Sequence, residues 1–126
     1  MTELNFQKEK VEQVVQDFKK LTLSAHQKES VNKISMLMKQ FLPLKMNAIK
    51  GSMWLTIKKW QSSHGKPLAD LSKMTNEKRI EAVKELISMG REQTMKMLID
   101  PDGQKELLDD AFEKATKMAL DVMEKQ

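Results

Sequence analysis

Residues 102–125 read DGQKELLDDAFEKATKMALDVMEK. Their apolar members recur at three- and four-residue steps: Leu107, Leu108, Ala111, Phe112, Ala115, Met118, Ala119, Val122 and Met123. On a helix, residues three and four apart share a face, so this spacing predicts a helix with one unbroken apolar stripe. Aspartate, glutamate and lysine occupy the other side, as expected for a helix that is half buried. Alanines along the middle of the stripe predict tight packing on a neighbour. The preceding Asp100-Pro101-Asp102-Gly103 predicts a turn that doubles as the helix start. Proline suits the first helical position, and acids complement the positive end of the helix dipole.

The same period recurs toward the N-terminus. Thr75 is a candidate cap for a helix over 76–99, whose apolar face would hold Ile80, Val83, Leu86, Ile87, Gly90, Thr94, Met97 and Leu98. Gly90 within that face predicts a close helix crossing. The stretch ISMGREQTMKML, residues 87–98, carries the polar-polar-Thr step of a helix-turn-helix. The apolar period runs unbroken through Gly90, however, and one continuous helix accounts for it better.

A third helix is predicted over 44–61. Met46, Ile49, Met53, Ile57 and Trp60 form its main stripe, and Leu44, Ala48 and Leu55 form a second on the opposite side. A helix with two apolar faces is either central in a bundle or keeps one face for a partner. Gly51 weakens this helix by about 1 kcal/mol relative to alanine. Helices over 25–42 and 3–21 complete the set. The first of these opens on Ser24 with Gln27 three residues on, a capping box, and stops at Pro43. The second carries Leu4, Val11, Val14, Val15, Phe18 and Leu21 on one face. Residues 62–67, SSHGKP, read as a loop, with a short turn over 67–73. The expectation is an all-α, single-domain bundle of about five helices, mostly antiparallel, with helices one and two and helices four and five as hairpins.

Composition agrees. The 126 residues hold 4 Gly, 3 Pro, no Cys and no Tyr, and 40% are hydrophobic, too many for a chain disordered throughout. The absence of cysteine rules out disulfides, thiolate metal sites and thiol catalysis. The N-terminus lacks the apolar segment of a secretory signal, and no run is long enough to span a bilayer, so the chain is read as soluble and cytoplasmic.

Charge is segregated. Residues 1–30 carry five lysines and five acids, residues 31–66 seven lysines and no acid, and residues 67–126 ten basic residues and thirteen acids. Both tryptophans lie in the acid-free block.

Catalytic signatures are missing. Asp109, Asp110 and Glu113, and Glu77, Glu81 and Glu85, lie on polar helix faces and read as solvated pairs with lysine. His26 and His64 have no partner at metal-ligand spacing, and His64 falls in the loop. In Asp100-Pro101-Asp102-Gly103 the glycine comes too early for a calcium loop, and no bidentate glutamate follows. No nucleophile elbow or phosphate loop is present. No enzyme activity, cofactor or metal is expected.

The basic block is therefore the candidate site. Three binding readings compete with a purely structural one, in which the tryptophans are core and the lysines solvate the surface. The leading reading is a regulatory protein-binding module. It docks an acidic protein through Lys45, Lys50, Lys58, Lys59 and Lys66, with Trp54 as aromatic anchor and Trp60 beside it. Exposed methionines such as Met36 add an adaptable surface. An alternative is nonspecific nucleic-acid binding by the same lysines, although the block has no arginine. A membrane-surface helix or a small enzyme is a further alternative. Self-association through Leu44, Ala48 and Leu55 is also open.

Overall fold

The computed structural model of the chain describes residues 4–124, apart from the side chains at 122 and 123. Positions 3 and 125 and the stripe residues Val122 and Met123 therefore lie outside what is described. Five α-helices follow one another: α1 (Lys8–Lys19), α2 (Ala25–Lys39), α3 (Met46–His64), α4 (Asn76–Met95) and α5 (Lys105–Glu124). A 3₁₀ segment, Leu68–Lys73, joins α3 to α4. The result is the expected all-α bundle with antiparallel packing and short connections.

The helix starts follow local chemistry. Ser24 Oγ accepts from the Gln27 amide at 3.2 Å, and the Gln27 side chain accepts from the Ser24 amide at 3.2 Å. This reciprocal pair satisfies two donors that the first turn of α2 cannot satisfy itself. Replacing Ser24 by alanine is expected to destabilise the protein by about 1 kcal/mol, read as a lower urea midpoint with unchanged slope. Thr75 caps α4 in the same way, accepting from the Lys78 amide. At the other end of α3, Gly65 takes φ 61°, the left-handed conformation that ends a helix cheaply only at glycine.

α3 is the centre of the bundle. It packs against α1, α2 and α4, and α4 packs along α5. Its two apolar stripes are thus both used within the chain. Ala48, Ile49 and Met53 enter one core cluster with Met38, Leu98 and Phe112. Trp54, Ile57 and Trp60 enter a second with Val31, Leu68 and Leu86. The hairpin of helices one and two does not form. α1 lies along α3 instead, because the central helix offers apolar surface on both sides and α1 and α2 each take one.

Three local expectations are corrected. The first helix begins at Lys8, and residues 4–7 before it are not helical. There Phe6 bridges antiparallel to Leu98; the Gln7 amide donates to Met97 O at 2.7 Å and the Ile99 amide to Asn5 O at 2.9 Å. Gln7 Nε2 also donates to Leu98 O at 2.8 Å. This segment satisfies the carbonyls of Met97 and Leu98, which follow α4 and have no helical partner. Second, Asp100-Pro101-Asp102-Gly103 is a turn only, and α5 starts at Lys105. Asp100 Oδ1 accepts from the Gly103 amide at 3.1 Å, so the aspartate shapes the turn rather than capping a helix that begins at proline. Third, His64 belongs to the last turn of α3, not to the loop.

Candidate functional site

The structure divides the sequence-selected residues into two groups. Trp54 and Trp60 are 8% and 1% exposed and belong to the second core cluster. Trp54 is therefore a packing residue and does not offer its ring to a partner. α3 is enclosed by three helices, so core positions cover far more of its circumference than one stripe. Leu44 and Ala48 are likewise buried within the chain, at 9% and 0% exposure, and only Leu55 of that stripe is half-buried. A two-fold interface through Leu44, Ala48 and Leu55 is not available, since α1 already lies along α3.

The lysines keep their place on the surface. Lys45, Lys58, Lys59 and Lys66 are exposed and Lys50 is half-buried. They are not gathered on one face. At about 100° per residue, Lys50 and Lys59 leave α3 on opposite sides, and Lys45 sits at the far end of the helix, roughly 28 Å from its C-terminus. Lys58, Lys59 and Lys66 lie together at one end of α3, on its last two turns and in the loop after it. That corner is held firmly. The Gln61 side chain accepts from the Leu68 amide at 2.8 Å, and His64 Nε2 lies 2.9 Å from Glu85 Oε2 of α4. The His64 ring also stacks on Trp60 at 4.5 Å between centroids.

Among the described residues, Lys39, Lys45, Lys50, Lys58, Lys59 and Lys66 make no ion pair; within the block only Lys33 does, with Glu29 at 3.1 Å. Of the acids singled out in the sequence, two form solvated pairs with lysine. Asp110 meets Lys114 at 3.0 Å and Glu113 meets Lys117 at 3.5 Å, one helical turn apart. Asp109 pairs with Arg91 across the α4–α5 contact. No group of three His, Asp or Glu side chains that would hold a metal ion occurs among the described residues. Nor is any helix there long and apolar enough to cross a membrane.

One feature lay outside the reach of sequence reasoning. Between α2 and α4 opens a cavity of about 390 Å³ whose floor is Met53 of α3. Leu37, Met38, Val83, Leu86 and Ile87 line its walls, while His26, Ser30, Lys33, Ser72 and Arg79 supply its polar groups. No carboxylate is among the described lining residues. Its residues come from five segments, and each reads in the sequence as an ordinary stripe or rim position. Ala115 and Ala119 of α5 also line it; the alanine stripe was the one visible signal, read as tight packing.

Comparison with protein-family models, with curated proteins and with solved structures finds no match for this chain.

Proposed function

We propose that this chain is a non-catalytic binding module that docks an acidic protein partner, with Lys58, Lys59 and Lys66 as the centre of the contact. The observation that carries this reading is the unpaired charge of the block: residues 31–66 contain seven lysines and no acid, and six of those lysines make no ion pair among the described residues. Lysines merely solvating a helix face are usually interleaved with acids, as they are on α5. The anchored corner at the end of α3 lowers the ordering cost of contact. A lysine-only rim supplies steering and orientation more than affinity.

Nucleic acid fits less well. No Phe or Trp ring is exposed among the described residues, which leaves bases little platform on which to stack. The block contains no arginine to read a guanine edge or grip a phosphate through two bonds.

The test is charge reversal at the corner. Lys58→Glu with Lys59→Glu is expected to weaken binding of poly-L-glutamate at low salt by about fivefold or more, mainly through a slower on-rate. Reversal of Lys114 and Lys117, which already have acidic neighbours, should change it by less than about twofold. Equal losses from both double variants would show that only net charge matters and would remove the corner as a site. Tighter binding of duplex DNA than of poly-L-glutamate at matched salt would favour the nucleic-acid reading.

A further inference from the structure

The cavity between α2 and α4 is mostly apolar, and its polar groups gather toward the 3₁₀ segment, where Leu68 and Leu71 also line it. The 3₁₀ segment packs against both α2 and α4, and so does α5. Its polar lining groups belong to α2 between its first turn and its middle (His26, Ser30, Lys33), the 3₁₀ segment (Ser72) and the first turn of α4 (Arg79). Further along the same two helices the lining is apolar: Leu37 and Met38 on α2, and Leu86 and Ile87 on α4. Ala115 and Ala119 of α5 leave the space that larger side chains would fill.

Arg79 carries the charge argument. Its Nε donates to Leu71 O at 3.2 Å and one Nη donates to Met74 O at 3.3 Å, which fixes the guanidinium against the 3₁₀ segment. It is half-buried and has no carboxylate within ion-pair distance among the described residues. A held guanidinium with unused donors beside an apolar trough matches an oxyanion joined to a hydrocarbon chain.

We infer that this cavity binds a single-chain anionic amphiphile, its head at Arg79 with Lys33 and His26 nearby and its tail along Leu37, Met38 and Met53. A volume of about 390 Å³ lies in the range of small-molecule sites. A helix about 10–12 Å across would fill such a volume with little more than one turn, so a single hydrocarbon chain fits it better. This site is separate from the lysine corner, and the two inferences stand or fall independently.

The experiment uses the full chain labelled with ¹³C at its methionine methyls. Sodium decanoate, kept below its micelle concentration, is expected to shift the Met38 and Met53 signals saturably and leave exposed Met36 unmoved. Decanol, the neutral counterpart, should shift the same two signals with about tenfold weaker affinity, the worth of a charge-assisted contact. Arg79→Gln should bring decanoate down to the affinity of decanol, and Arg79→Lys should restore part of the difference. Ala119→Phe should weaken both ligands without reducing helix content. Should Arg79→Gln loosen the 3₁₀ segment, Lys33→Gln, on an exposed side chain, gives the same comparison with a smaller expected change.

Equal affinity for decanoate and decanol in the unaltered chain would overturn the head-group assignment. Shifts spread to Met36 would show surfactant adsorption and overturn the site. So would a cavity that ignores both ligands but responds to an acidic amphipathic peptide. Lys58→Glu with Lys59→Glu should leave decanoate binding unchanged, which separates a failure here from a failure at the lysine corner.

Discussion

Trp60→Ala is expected to cost about 3–5 kcal/mol, a large part of the roughly 5–15 kcal/mol that holds a typical domain folded. Trp60 is 1% exposed, sits with Val31, Ile57, Leu68 and Leu86, and supports the stacked His64 ring. The cavity left by an indole in that cluster would have to be closed by shifts in α2, α3 and α4 together. Trp60→Phe should cost less than about 2 kcal/mol. It keeps most of the apolar volume and removes an indole N–H that has no hydrogen-bond partner among the described residues. Urea titration followed by the fluorescence of Trp54 measures both, since that ring is buried too and its emission should shift to the red on unfolding. Lys58→Glu with Lys59→Glu, two and one residues away, should move stability by no more than about 0.5 kcal/mol. If Trp60→Ala costs under 1 kcal/mol, the ring is not core and the surface-anchor reading of the block returns.

That contrast marks where sequence reasoning succeeded and where it stopped. Periodicity located all five helices, and the Ser24 and Thr75 caps were legible because capping depends on residues three apart in the chain. Both stripes of α3 were visible, and the central position was one of the two arrangements they allowed. What stayed hidden was set by distant contacts. Leu4 continues the apolar pattern of α1, yet the backbone just after it, at Asn5 and Gln7, pairs with Ile99 and Met97 beyond α4, ninety or more positions away. The place of α1 on α3 followed from which apolar face was left uncovered, a property of the assembled bundle. Trp54 lay off the main stripe and read as exposed, but a helix enclosed by three others buries positions well outside one stripe. The charge pattern was fully legible, because exposed lysines follow sequence rather than packing. The α2–α4 cavity was not, since a void is the sum of side chains from elements that never meet in sequence.

The two glycines reverse their expected roles, and substituting each by alanine separates them. Gly90 lies on the buried face of α4, where the sequence predicts a close crossing. A methyl group there would instead meet Met53 Sδ at 3.7 Å, Phe112 Cε1 at 3.8 Å and Thr56 Oγ1 at 3.9 Å, all ordinary contacts. Gly90→Ala should therefore stabilise the protein by about 0.5–1 kcal/mol, the difference in helix preference between the two residues. Gly51, expected only to weaken its helix, is where the backbones come together. A methyl group on it would sit 2.6 Å from Val14 Cγ1, 2.8 Å from Val14 O and 3.1 Å from Phe18 Cβ. A carbonyl oxygen and a Cβ move only with their backbone, so α1 as a whole must retreat from α3. Overpacking of this kind costs roughly 1–3 kcal/mol, and here it also opposes the gain in helix preference. Since α1 packs chiefly on α3, the loss should be local as well as global. Amide exchange in α1 should accelerate more than in α4 and α5 when Gly51 becomes alanine. The two variants should then move the urea midpoint in opposite directions. If both raise it equally, α1 lies farther from α3 than these distances require, and the contact that makes α3 the central helix is looser than described.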